Sequence, residues 1–188
     1  MHAQRNRVWT RKNVFRVLSL CGGMGTVGFA LQKLKALLGL DVEVEVLEVE
    51  IDAVARAVAE KVSGEVTRQL VPHDVWEWVV DAERTREWLA EYGELDMLLC
   101  GWTCVDMSSA NKRGKGLRGQ KSNVFFGARE ILRIARSMYP HMEFVFECTW
   151  FKEKHPRDWE FVSETLGVEP VQLEAGRVAG AWRKRAFW

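Results

Sequence analysis

Residues 14–38 constrain this chain more than any other stretch. Val14–Cys21 (VFRVLSLC) is a strand-type apolar run that enters Gly23-x-Gly25-x-x-Gly28. Val27–Leu38 then carries apolar residues at helical spacing and stops at Gly39. A strand, a glycine turn and a helix in that order form the opening unit of a nucleotide-binding α/β sheet, because glycine lets backbone turn tightly and approach a ligand without side-chain clash. That unit places Leu20, Cys21, Gly22, Gly23, Gly25 and Thr26 around the ligand.

The alternation continues. Val42–Val49 (VEVEVLEV) reads as a strand, Asp52–Val62 as a helix that Asp52 caps, and Val66–Val71 as a short strand. Val75–Glu91 reads as one helix with Trp76, Val79, Val80 and Trp88 toward the core. Leu95–Cys100 is a buried strand, Asn123–Met138 a helix, Glu143–Cys148 a strand and Asp158–Leu166 a helix. Pro170–Val178 and Arg183–Trp188 stand too close for a crossover helix and form an antiparallel hairpin. The expected fold is α/β, Rossmann-like, with a mostly parallel seven-stranded sheet ending in that hairpin. With 188 residues, one domain over 14–188 follows, preceded by a basic extension over 1–13.

Charge and cysteine content narrow the setting. Lys and Arg total 27 against 26 Asp and Glu, so any nucleic-acid binding comes from a local patch rather than bulk charge. No apolar run approaches the roughly 20 residues of a membrane helix, and no apolar stretch of signal type follows the basic N-terminus. Four cysteines without CxxC spacing read as reduced thiols, which points to the cytoplasm or nucleus.

Two further regions carry chemistry. Glu48 and Glu50, with Val49 between them, end the second strand where a carboxylate accepts bonds from ribose hydroxyls; this suits NAD, FAD and S-adenosylmethionine alike. Residues 101–122 break the periodicity after the fourth strand, and ligands bind outside the carboxyl ends of such strands. Cys104 lies there, close to Gly101. Lys112, Arg113, Lys115, Arg118 and Lys121 follow it with no acid among them, a setting that favours a thiolate. The fifth strand, Phe144-Val145-Phe146-Glu147-Cys148-Thr149, carries a lone carboxylate whose burial would raise its pKa toward general-acid use, with a salt bridge to Arg183 or Arg185 as the competing reading.

Together these segments resemble the DNA (cytosine-5) methyltransferases, most closely the catalytic domains of the de novo type. Arg16–Leu20 entering the glycine loop resembles the family's first motif, and Glu48-Val49 with Glu50 and Asp52 its second. His73-Asp74-Val75 falls where the family has its adenine-contacting aspartate. Cys104-Val105-Asp106-Met107-Ser108, continued by Lys115-Gly116-Leu117 through Val124-Phe125-Phe126, resembles the catalytic-cysteine loop. Phe146-Glu147 and Trp182–Trp188, with Arg183 and Arg185, resemble the catalytic-glutamate and Arg-x-Arg motifs.

The resemblance implies S-adenosylmethionine as cofactor and DNA as partner. It implies Cys104, Glu147, Arg183 and Arg185 as catalytic groups, and Asp74, Val75 and Gly101 among the cofactor contacts. Ser108, Asn111, Lys112, Arg113, Lys115, Arg118 and Lys121 would lie on nucleic acid. The sequence departs from the family at Cys21-Gly22-Gly23, at Thr103 in place of proline, and at Cys148-Thr149 in place of Asn-Val. The family's target-recognition region is not found after Trp188, which implies DNA gripping by a dimer partner, a separate subunit or the loop itself, or else that these 188 residues are a fragment of a longer gene. A regulatory, non-catalytic member is the alternative that the departures motivate. An NAD-dependent oxidoreductase leaves Cys104 and Glu147 unexplained, and RNA in place of DNA is a variant of the first reading.

Overall fold

The structure, a computed structural model, describes residues 14–174, 176 and 184–188. Seven strands form one sheet in the order β3-β2-β1-β4-β5-β7-β6. β1 (Val14–Leu20), β2 (Glu43–Val49), β3 (Thr67–Gln69), β4 (Met97–Gly101) and β5 (Glu143–Thr149) are mutually parallel. β7 (Lys184–Phe187) runs antiparallel between β5 and β6 (Val171–Glu174), as the hairpin reading requires. The basic extension over 1–13 and the link 177–183 lie outside the described residues.

Side-chain alternation sorts the sheet into two faces. On one, Val17, Val44 and Val46 meet Val27 and Leu31 of α1 (Thr26–Leu38), which packs on α2 (Ala53–Ser63). On the other, Leu18, Leu20, Leu47, Leu98 and Cys100 join the larger core with α3 (Val75–Trp78), α4 (Ala82–Glu91), α5 (Val124–Met138) and α6 (Pro156–Leu166). Burial on both faces explains why the strict Val/Glu alternation of β2 stops at Val46 and gives way to four buried residues in succession.

The helix expected over Val75–Glu91 is two helices. Asp81 accepts hydrogen bonds from the N–H groups of Glu83 and Arg84 and starts α4 afresh, while the Thr85 hydroxyl donates to the carbonyl of Trp78 at the end of α3. The break rotates the pattern: Trp78 is fully buried, whereas Trp76 and Val80 are exposed. α6 begins two residues earlier than the periodicity suggests, at Pro156, because proline suits a first helical position. β3 is three residues long, and the residues flanking it still bond to β2: the Val66 carbonyl accepts from Val46 N–H and Leu70 N–H donates to the Glu48 carbonyl. β6 ends at Glu174 within the described residues.

Candidate active site

The carboxyl ends of β1, β2, β4 and β5 converge on one crevice, each delivering a different group. At the end of β1, Cys21 sits in the left-handed region at φ 56° and its N–H donates to the Val49 carbonyl. The three fingerprint glycines then divide their work. Gly23, at φ 66°, faces open space: a Cβ there meets nothing within 4 Å. Gly25 and Gly28 instead let α1 close on α2, since a Cβ at Gly25 falls 2.9 Å from the Ala59 backbone and one at Gly28 falls 2.9 Å from the Ser63 side chain. Gly25 caps α1 without any side-chain hydrogen bond, and Thr26 is exposed at the first turn.

The two glutamates of β2 also separate. Glu48 and Val49 are fully buried, and the Glu48 carboxylate fills the space that a Cβ on Gly22 would take. Gln69 donates to Glu48 Oε1 at 2.6 Å, while burial raises the Glu48 carboxyl above its usual range and nearby Glu50 adds to the rise. Glu48 thus backs the loop from inside and does not stand in the crevice. Glu50 does: its carboxylate accepts from Gly23 N–H and from Asp52 N–H, both at 2.8 Å, and clamps the glycine loop to the end of β2. Ile51 beside it is 67% exposed. Asp74 caps α3 by accepting from Trp76 N–H, and Val75 is buried behind it.

After β4, residues 102–122 fold into a compact loop rather than an open one. The Cys104 carbonyl accepts from Met107 and Ser108 N–H, forming a turn that the fully buried Met107 anchors. Asp106 is the hub. Its carboxylate accepts from Lys121 and Ser122 N–H, its carbonyl from Gly116 N–H, and its own N–H donates to Ser122 Oγ. Ser122, fully buried, donates on to the Thr103 carbonyl at 2.7 Å. From outside, Lys154 Nζ donates to the carbonyls of Ser108 and Asn111, and Asp158 accepts from Leu117 N–H. The structure thus assigns Asp106, Ser122, Lys154 and Asp158 as organisers; of these Asp106 and Ser122 lay within the loop motif legible beforehand. Lys112, Arg113, Lys115, Arg118 and Lys121 are all exposed on this loop. Asn111 holds the Val105 carbonyl through Nδ2, which spends that side chain on the loop itself.

Glu147 ends β5 directly opposite Gly101, and its Oε2 lies 3.6 Å from where a Gly101 Cβ would be. It is ion-paired: Arg185 Nε of β7 donates to Oε1 at 2.7 Å, and Arg185 also reaches Thr149 Oγ1. The carboxyl is therefore a partly exposed, paired group rather than an isolated buried acid. Arg183 lies outside the described residues. The four cysteines are all free. Burial pushes the Cys148 thiol up, with the charges of Cys104 and Glu147 adding to the rise. Cys100 is likewise raised by burial, and next by the Cys21 thiol that hydrogen-bonds to it.

Beneath the loop, fully buried Trp102 packs on Phe125 and Trp188 with ring centroids 5.3 and 5.5 Å away. Among the described residues, no helix is long and apolar enough to cross a membrane.

No protein-family model matches the chain. Among solved structures it is similar to the methyltransferase EhMeth of Entamoeba histolytica at 10% identity and TM-score 0.58, over 94% of this chain and 53% of that one. It is also similar to a putative class I S-adenosylmethionine-dependent methyltransferase of Listeria monocytogenes, at 13% identity and TM-score 0.48, over 95% of this chain and 54% of that one. The chain spans about half the length of these two proteins. The strand order and the first likeness show one fold, a Rossmann-like, mostly parallel seven-stranded sheet shared with EhMeth.

Proposed function

We propose that the chain is an S-adenosylmethionine-dependent methyltransferase acting at carbon 5 of cytosine in DNA. The observation that carries the cofactor is Glu50. In a dinucleotide site the N–H groups of the glycine turn face a pyrophosphate, but here Gly23 N–H is held by a carboxylate. A phosphate brought to about 4 Å from that charge meets repulsion of order 4 kcal/mol, which favours a cationic ligand without phosphates over NAD. Both Glu50 oxygens keep lone pairs for ribose hydroxyls, exposed Ile51 offers an apolar surface for a base, and Gly23 leaves the approach clear. These residues fit the cofactor, which supplies an electrophilic methyl group when bound.

The observation that supports the cytosine chemistry is Glu147, ion-paired to Arg185 and opposite Gly101 of β4, with Cys104 three residues beyond Gly101 in the loop that follows. Cytosine carbon 5 is a poor nucleophile. Addition of the Cys104 thiolate to carbon 6, with Glu147 delivering a proton to ring N3, turns the ring into an enamine with electron density on carbon 5. Arg185 holds Glu147 in place and presents cationic charge beside the base carbonyl. Once carbon 5 carries the methyl group, removal of its proton reforms the double bond and expels Cys104 as thiolate. The base leaves the duplex to reach Cys104, at an unstacking cost of a few kcal/mol. The exposed loop cations are suited to the flanking phosphates, and a dimer partner or separate subunit would supply further recognition of the sequence.

Cys104→Ala should abolish methyl transfer to cytosine-containing DNA while changing S-adenosylhomocysteine affinity by less than about twofold. Only the Cys104 chain should form a denaturation-resistant adduct with DNA containing 5-fluorocytosine. Methylation by Cys104→Ala would refute the covalent route. Wild-type protein that binds both ligands yet yields neither product nor adduct would be a regulatory subunit instead.

A further inference from the structure

Between the 3-10 turn Gly116–Arg118 and the start of α6 lies a cleft of about 400 Å3 whose walls come from two separate parts of the chain. The loop supplies Lys115 and Arg118; the α6 side supplies Lys154, His155, Arg157 and Asp158. Four cations thus face one carboxylate, in a protein whose net charge is only +1. That carboxylate is turned toward the loop through Oδ2, which accepts from Leu117 N–H at 3.0 Å. Lys154 is spent on the Ser108 and Asn111 carbonyls, at 2.7 and 2.6 Å. Lys115, Arg118 and Arg157 are exposed, and among the described residues none of them pairs with an acid. His155 lines the same cleft, and its buried Nε2 has no hydrogen-bond partner. Cations held this close together repel one another unless an anion joins them.

We infer that this cleft seats a backbone phosphate of the DNA substrate, with Arg157 and Arg118 as its principal ligands. The inference rests on the DNA reading above and extends the contact surface beyond the Cys104 loop to α6. An open cleft ringed by long side chains suits a phosphodiester on a polymer. Its position gives the contact a purpose: Lys154, which lines the cleft two residues before α6, donates to the Ser108 carbonyl, and Ser108 N–H donates to the Cys104 carbonyl at 2.8 Å. A phosphate fixed here is therefore two hydrogen bonds away from the backbone of the nucleophile. It would set the register of the strand so that one flipped base arrives at Cys104. Phosphate contacts of this kind position a protein without reading sequence.

The test measures binding of a labelled cytosine-containing duplex across a salt series from about 50 to about 200 mM. Neutralising one phosphate contact should lower the slope of log affinity against log salt by about 1. Arg157→Gln and Arg118→Gln should each do so and weaken binding about tenfold at the lowest salt. Arg157→Lys should keep the slope, and S-adenosylhomocysteine affinity, unchanged in all three, reports an intact fold. If wild-type protein binds the duplex and Arg157→Gln leaves slope and affinity unaltered, the cleft inference is wrong and the DNA reading survives. If wild-type protein binds no duplex, or only the matching RNA, both fall together.

Discussion

A glutamate that is sealed from solvent needs its charge explained, and Glu48 is such a residue. Its Oε2 and the neighbouring Gln69 Oε1 are both buried oxygens without a partner, while Gln69 Nε2 holds Glu48 Oε1. A proton on Glu48 supplies the donor that this pair of orphan acceptors lacks, in keeping with the raised pKa. The sign follows directly. A folded-state pKa above the unfolded value contributes stability at low pH that is lost as pH rises through the folded value. Above the folded-state value the ionised carboxylate therefore costs stability. Glu48→Gln keeps the acceptor for Gln69 Nε2 and adds a permanent donor. Where Glu48 is ionised, the substitution should raise stability by about 1–3 kcal/mol, a gain that shrinks as pH falls through the raised folded-state pKa and is gone below the ordinary glutamate value of about 4.3. Thermal unfolding followed by circular dichroism across pH checks this; a gain independent of pH would mean that no proton is shared.

At the scale of elements, sequence patterns carried the sheet and lost the connections. Strand positions were legible because β1, β4 and β5 are mostly apolar runs and β2 opens on a Val/Glu alternation. The break between α3 and α4 was hidden, because an Asp cap within a helical pattern is also an ordinary polar helix residue, and only the buried bond from Thr85 to Trp78 shows which it is. Cys104, Glu147 and Arg185 were legible as residue types in order, and the pairing of Glu147 with Arg185 stood among the weighed readings. The division between Glu48 and Glu50 was not legible. The two lie on the same side of an extended strand, and they divide because β2 ends at Val49, which leaves Glu48 paired within the sheet and Glu50 past its last residue.

The loop shows the same limit from another side. Its composition reads as solvated, yet Asp106 gathers four of its backbone groups into one knot. Asp106→Ala removes two of those bonds at once. Since misplacing a reacting group by about 1 Å can cost 10²-fold in rate, single-turnover methylation should fall by about that factor. S-adenosylhomocysteine affinity should stay within about twofold, because Gly23 and Glu50 lie outside the knot. Equal losses in rate and cofactor affinity would show the loop to be part of the cofactor site.

Over the whole molecule, the crevice is assembled from four strand ends that are distant in sequence: Gly23 after β1, Glu50 after β2, Gly101 of β4 and Glu147 of β5. None of these neighbours exists in the unfolded chain, so a ligand spanning them binds the folded state alone and stabilises all of it. At about 100 times its Kd such a ligand adds about 2.7 kcal/mol. For a chain of this size that corresponds to a rise in Tm of roughly 5–11 °C. S-adenosylhomocysteine should produce a shift in that range. NAD at equal concentration should produce almost none, since it shares the adenosine but brings two phosphates toward the carboxylate that holds Gly23. Glu50→Gln separates the two causes: it removes the repulsion while keeping an acceptor for Gly23 N–H, so the NAD shift should grow as the S-adenosylhomocysteine shift shrinks. If both shifts fall together, Glu50 acts only as a clamp on the loop, and the preference for a ligand without phosphates has another origin.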